Sequence, residues 1–286
     1  MARGGATIVE PDAASGLVWT DHADPDGLAD LLAANPGIEW VQLPWAGVEP
    51  YVEVIRRHPD LTWACGKGVY AEPVAEHALA LALAGLRQLT TYARSSQWGR
   101  PAGTNLLGAR VVVLGGGGIT ESLLRLLGPF GCEVTVVRRT PAAMVGADRV
   151  VGEADLDEAL RGAEVVVLAL ALTPTTEGII DRRRLELLDP DGWLVNVARG
   201  AHVVTDDLVA VLAEGRIGGA ALDVTDPEPL PADHPLWSEP RCIITPHTAN
   251  TPEMAVPLLA ARVEENVRRR LAGLDLVGLV DPDAGY

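Results

Sequence analysis

The chain has 286 residues, 48% hydrophobic and 22% charged, an ordinary globular mix with room for two domains that each bury a core. A formal charge of −16 excludes the basic face that a nucleic-acid or anionic-membrane partner would demand. The most apolar run, about residues 73–86, is too short for a bilayer span, and no apolar leader follows Met1, so a cytoplasmic protein is expected.

In chain order, short runs near 6–9, 16–19, 39–43 and 61–65 read as strands, with helices near 26–34 and 48–57. That alternation is the pattern of a parallel sheet with helices on both faces. Gly66-Lys67-Gly68-Val69-Tyr70 breaks the rhythm, and a helix over about 73–90 follows, opened by Pro73 where a missing N–H costs nothing. Val74, Ala75, Ala78, Leu79, Leu81, Ala82, Leu83 and Leu86 cover almost every side of it, which predicts burial all round, in a core or a subunit interface. Glu76 and His77, its polar exceptions, read as structural. The cleanest strand, 110–114, runs into Gly115-Gly116-Gly117-Gly118 and a helix from Ile119 to Leu127. Further strands follow at 133–137, 164–170, 193–197, 218–222 and 242–245, then a helix over 253–271 and a short tail. Cys65, Cys132 and Cys242 form no CxxC pair and read as small buried residues; no metal site is expected.

In an open α/β sheet, ligands sit outside the carboxyl ends of the strands. The unusual polar residues fall there: the glycines after 110–114, Arg199-Gly200 after 193–197, Asp223 after 218–222, and Pro246-His247 after 242–245. Gly115 and Gly117 supply the first two glycines of a GxGxxG fingerprint, and Gly118 and Ile119 open a helix whose N-terminus suits a pyrophosphate. Thr120 occupies the third glycine position and is expected to hold the helix slightly farther from the sheet. Strand 133–137 ends in Arg138-Arg139-Thr140 with no acid to bond ribose hydroxyls. Two guanidiniums suit a 2′-phosphate, so NADP is preferred over NAD.

Three spaced motifs carry a family resemblance. Residues 192–200, Gly-Trp-Leu-Val-Asn-Val-Ala-Arg-Gly, resemble the NxARG signature of the D-isomer-specific 2-hydroxyacid dehydrogenases. Asp223 to Pro231 is similar to their DVFxxEPLP segment, and Ile244-Thr245-Pro246-His247-Thr248-Ala249 to their TPHxA. The likeness runs from Ala46-Gly47-Val48 through Val74-Ala75-Glu76-His77 to Gly285-Tyr286. Within the family it points to the glyoxylate/hydroxypyruvate reductases, through Arg199-Gly200-Ala201-His202-Val203-Val204 followed by Asp206-Asp207.

The resemblance implies a reduction of small 2-oxo acids by a nicotinamide cofactor. Arg199 would hold the substrate carboxylate and carbonyl, and His247 would be the general acid–base. Glu228 would be its carboxylate partner, favouring the charged imidazolium that reduction needs. Formate dehydrogenases of this superfamily carry Gln where Glu228 stands, so the acid speaks for proton transfer. Ala198 and Asp223 would border the cofactor, Ala46 and Gly47 would offer backbone N–H groups to the carboxylate, and Trp45 would flank that loop. His22, His58, His202 and His234 match nothing catalytic and read as surface or structural. Three residues depart from the pattern: Thr120, Gly118 in place of a larger residue, and Ala171 in place of a proline. The implied architecture is a Rossmann-type doubly wound parallel sheet domain, 71–250, inserted into a smaller flavodoxin-like α/β substrate domain, 1–70 and 251–286. A homodimer burying helix 73–90 is also implied. A phosphorylated-hydroxyacid dehydrogenase of the same fold and a non-catalytic dinucleotide sensor remain the alternatives on sequence.

Overall fold

The computed structural model describes residues 1–21 and 23–281; His22 and the tail 282–286, with the Gly285-Tyr286 end of the family likeness, lie outside the described residues. The chain divides into two compact units, Met1–Tyr70 with Thr251–Tyr286, and Ala71–Asn250, so the second is inserted in the sequence of the first.

The first unit opens with three parallel strands in sequential order: β1 (Gly16–Val18), β2 (Trp40–Gln42) and β3 (Thr62–Ala64). Helix α1 (Pro25–Ala34) starts where Asp24 accepts the Gly27 N–H at 2.8 Å and Pro25 fills the first turn. Helix α2 (Val52–Arg57) follows a single 3-10 turn over 49–51, shorter than the helix expected over 48–57. Alternation along β2 sends Val41 to one core, with Leu28, Leu32 and Tyr51, and Trp40 to another.

No strand forms at 6–9, which corrects the sequence expectation. Ile8 and Val9 stay 69% and 47% exposed, and Pro11 opens a 3-10 turn. Four alternating residues without a partner strand lack the ladder bonds and the burial that stabilise a strand.

The second unit begins with α3 (Ala71–Leu86) and α4 (Leu89–Ala93). They are separate helices, not one over 73–90, because Gln88 adopts φ 50 and Thr104 takes the Leu86 carbonyl at 2.8 Å. Then come β4 (Arg110–Leu114), α5 (Gly118–Leu127), β5 (Glu133–Val137), β6 (Arg149–Val151), α6 (Leu156–Leu160) and β7 (Val165–Leu168). After these follow α7 (Arg182–Leu185), β8 (Trp193–Asn196), α8 (Thr205–Ala213), β9 (Gly219–Leu222) and β10 (Cys242–Ile244). The seven strands are all parallel, in the order β10-β9-β8-β7-β4-β5-β6. Strand order reverses between β4 and β7, the switch point where such sheets bind ligands. Val112 and Leu114 face one apolar layer and Val111 and Val113 the other, the two-sided burial of a central parallel strand.

Helix α3 packs on α5, β8 and β9. Gly85 permits the approach: a Cβ there would lie 2.3 Å from the Trp193 ring. Its inner face is buried, but Leu79 and Leu83 are only half-buried and Ala80 is exposed, so all-round burial is not achieved within one chain. Burial raises all three thiols, Cys242 to about 12, and makes them poor nucleophiles.

The chain closes in the first unit with α9 (Pro252–Leu271). Its buried Asn266 donates to Gln42 Oε1 at 2.7 Å and to the Val277 carbonyl at 3.0 Å, and accepts the Val277 N–H at 2.8 Å. One side chain thus ties helix, sheet and tail. Among the described residues no helix is long and apolar enough to cross a membrane.

Candidate active site

The loop after β4 is built by steric exclusion. Gly115 has φ 109, and a Cβ there would lie 2.1 Å from the Ala169 carbonyl oxygen, so no other residue fits. Around Gly117 a Cβ would meet nothing within 4 Å, which leaves the backbone open to a ligand. Gly118 and Ile119 lie in the first turn of α5, where unpaired N–H groups and the helix dipole attract a phosphate. Thr120 is fully buried and its hydroxyl donates to the Gly115 carbonyl at 2.8 Å. The residue that replaces the third glycine therefore closes the turn with a hydrogen bond of its own.

Arg138 lies over the loop: a Cβ on Gly116 would be 2.8 Å from its Cδ and Nε atoms. Arg139, next to it, is exposed. An open glycine backbone, a helix N-terminus and a guanidinium beside them fit a dinucleotide bearing an extra phosphate.

At the end of β8, Asn196 folds back on its own turn, its Nδ2 donating to the Arg199 carbonyl at 2.8 Å and its Oδ1 accepting from Ala198 N–H at 3.0 Å. Ala198 is buried, and its carbonyl accepts from Arg199 Nη1 at 2.8 Å. Gly200 packs so closely on the next strand's loop that a Cβ would fall 2.0 Å from the Thr225 carbonyl carbon. The glycine of the Arg-Gly pair is thus a contact between motifs.

Asp223 holds the third motif in place. Its buried carboxylate accepts from Thr245 Oγ1 at 2.6 Å, Thr248 N–H at 2.8 Å and Ala249 N–H at 3.0 Å. His77 Nε2, from α3, lies 3.3 Å from the same carboxylate and 3.0 Å from Thr245 Oγ1. Burial alone would raise this acid, but the donors from His77, Thr245, Thr248 and Ala249 outweigh it and hold its pKa down at about 2. The Asp223 carbonyl also accepts the His247 N–H at 2.8 Å.

His247 adopts φ 51 and presents Nδ1 to Glu228 Oε1 at 2.7 Å, with both side chains about half exposed at 52% and 44%. The hydrogen bond fixes the ring and leaves Nε2 to face solvent or substrate, the arrangement of an acid–base histidine with an orienting carboxylate.

In the first unit, Ala46 is exposed and Gly47 and Trp45 are half-buried. Their loop is braced by the Trp45 carbonyl, which accepts the Gly66 N–H at 2.8 Å, and by Tyr70, whose hydroxyl donates to the Pro44 carbonyl at 2.6 Å. The Trp45 and Tyr70 rings lie 5.3 Å apart in a tilted contact. His58 is half-buried, and His234 accepts the Leu236 N–H at 3.3 Å. His202 is fully buried, the structural one of the two expected placements.

Thr245, Asn196 and Tyr70 brace these loops, and no role for them is readable from the sequence motifs alone. His77, a polar interruption of an apolar helix and part of the family likeness, has its place in this bracing as its physical reason.

A doubly wound parallel sheet with its glycine loop at the switch point places the inserted unit in the dinucleotide-binding class of α/β proteins. Residues 77–249 match the family model for the D-isomer specific 2-hydroxyacid dehydrogenase, NAD binding domain. The chain is 32% identical over 281 residues to glyoxylate/hydroxypyruvate reductase A of Yersinia enterocolitica, covering 94% of this chain and 87% of that protein. Among solved structures, the D-isomer specific 2-hydroxyacid dehydrogenase of Xanthobacter autotrophicus Py2 in complex with NADPH and MES superposes with a TM-score of 0.83. It is 30% identical, with 100% of this chain and 90% of that one covered. The NADPH-dependent glyoxylate/hydroxypyruvate reductase of Sinorhizobium meliloti, in complex with NADP and sulfate, gives 0.84 at 27% identity over 97% and 88% of the chains. The chain belongs to the D-isomer specific 2-hydroxyacid dehydrogenase family.

Proposed function

We propose that this protein reduces small 2-oxo acids such as glyoxylate and hydroxypyruvate to 2-hydroxy acids, with NADPH as the preferred reductant. The observation that carries the reading is the His247–Glu228 pair, 2.7 Å apart at the ends of neighbouring sheet strands and braced by Asp223. The names of the Yersinia and Sinorhizobium relatives support the substrate class, and the NADPH and NADP complexes support the cofactor.

When bound, a reduced nicotinamide supplies the hydride that turns the substrate's carbonyl carbon into the alcohol carbon. Arg199 neutralises the carboxylate and polarises the carbonyl. His247 gives its proton to the carbonyl oxygen, and Glu228 holds the ring and stabilises its charged form before transfer. The backbone N–H groups of Ala46 and Gly47 are assigned to substrate binding in this reading. Gly115, Gly117, Gly118 and Ile119 would hold the pyrophosphate, Arg138 and Arg139 would take the 2′-phosphate, and Ala198 and Asp223 would lie on the nicotinamide side. In this reading, 71–250 is the dinucleotide-binding domain and 1–70 with 251–286 the flavodoxin-like substrate domain. The exposed Ala80 and half-buried Leu79 and Leu83 on the outward side of α3 support a homodimer, and the reading takes the protein as cytoplasmic.

The test is turnover with a panel of glyoxylate, hydroxypyruvate, pyruvate and bulkier 2-oxo acids, each with NADPH and NADH. Reduction of the smallest acids, faster with NADPH, is expected. Tight cofactor binding without turnover of any acid overturns the reading.

A further inference from the structure

His202 lies three residues after Arg199 and is completely buried. Its ring joins two segments at the carboxyl edge of the sheet. Nε2 is 3.3 Å from the carbonyl oxygen of Ala171, in the loop after β7. Nδ1 is 3.2 Å from the Arg199 N–H and 2.9 Å from the Arg199 carbonyl. Nε2 faces a carbonyl and Nδ1 faces both the N–H and the carbonyl of Arg199, so the contacts admit either tautomer. The one protonated at Nε2 accepts the Arg199 N–H at Nδ1, and it is the one the proposal below uses.

Both joined segments are otherwise fastened. The Arg199 carbonyl accepts from Asn196 Nδ2, Gly178 N–H reaches the Ala201 carbonyl at 2.8 Å, and Thr176 Oγ1 donates to the same Ala171 carbonyl at 2.8 Å. The loop after β7 in turn abuts the glycine loop, where a Cβ on Gly115 would strike Ala169. A buried imidazole is thus the side-chain link between the turn that carries Arg199 and the loop beside the glycine turn. An apolar residue of the same size would fill the volume but leave the Arg199 N–H without this acceptor.

We propose that His202 is a positioning residue for substrate binding: its Nδ1 sets the backbone of Arg199, and so the direction in which that guanidinium is offered to a 2-oxo acid. The inference rests on Arg199 being the substrate arginine. It predicts an order among substitutions that simple cavity filling does not. His202→Asn keeps an acceptor near the Nδ1 position although it is small. His202→Leu keeps the volume and loses the acceptor. His202→Gln keeps a donor toward Ala171 but not the Nδ1 acceptor.

The experiment measures KM and kcat for glyoxylate, the NADPH Kd and the Tm in each variant, alone and combined with Arg199→Gln. The expected result is a rise in glyoxylate KM of about 10-fold or more in His202→Leu and His202→Gln, with NADPH Kd within about 3-fold. His202→Asn should stay within about 3-fold of the parent in KM although its Tm is lower. In the Arg199→Gln background the His202→Leu effect on kcat/KM should vanish, because both changes remove one contact. If His202→Leu fails to fold, His202→Gln and His202→Asn still decide. The proposal is overturned if Asn is as impaired as Gln, or if the His202 effect adds in full to that of Arg199→Gln. An Arg199→Gln enzyme with unchanged turnover would instead sink the substrate-arginine reading, a separate failure.

Discussion

His247 is held in the left-handed region, at φ 51, which a residue with a Cβ adopts at a cost of about 1–3 kcal/mol. Its surroundings over-determine that conformation: the N–H goes to the Asp223 and Thr245 carbonyls and the ring to Glu228. His247→Ala is expected to lower kcat by about 10²- to 10⁴-fold with NADPH Kd nearly unchanged, measured by steady-state reduction and fluorescence titration. Full activity in that variant would remove the histidine from the chemistry. Asp223 makes a pH-dependent contribution. Its folded-state pKa of about 2 lies below its ordinary 3.8, so its stabilisation is present above pH 3.8 and is lost as pH falls toward 2. The Tm gap between the parent and Asp223→Asn should therefore be largest near neutrality and should close over that acidic window. The pairing of Glu228 with His247, 2.7 Å apart, was legible because each sits in a linear motif. The bonds from His77 to Thr245 and from His202 to Ala171 were not, since the partners are 168 and 31 residues apart.

Among the elements, the junctions after strands β4, β5, β8, β9 and β10 carry the residues of the proposed site, and short-range pattern reached them unevenly. The glycine loop read correctly as a strand–turn–helix junction because β4, its loop and α5 are contiguous. The role of Thr120 did not, since a buried hydroxyl that caps its own loop looks in sequence like a lost glycine. Strand β6, three residues at a sheet edge, gave no periodic signal, and the run at 6–9 gave one without a partner to use it. At the end of β5, replacing both Arg138 and Arg139 by Ala should weaken NADPH binding about 10- to 100-fold and leave NADH within about 3-fold. Equal losses for both cofactors would contradict the 2′-phosphate assignment. Gly200→Ala would press a methyl group into the Thr225 backbone. It is expected to cost about 1–3 kcal/mol of stability by denaturant titration and to lower kcat/KM by displacing the Arg199 turn.

For the whole molecule, the insertion of 71–250 between the two parts of the first unit places the glycine loop and the acid–histidine pair on one domain and the Ala46-Gly47 loop on the other. In the proposed homodimer a second copy would cover the outward side of α3, where Ala80 is exposed and Leu79 and Leu83 are half-buried beside the exposed Glu72 and Glu76. Light scattering should report two chains for the parent and one for Ala80→Arg; a monomeric parent would contradict the dimer. NADPH consumption with glyoxylate and hydroxypyruvate should be rapid in the parent, slower with NADH, and nearly absent in His247→Ala and Arg199→Gln that still bind NADPH. An intact protein that binds NADPH and reduces none of the 2-oxo acids would contradict the account.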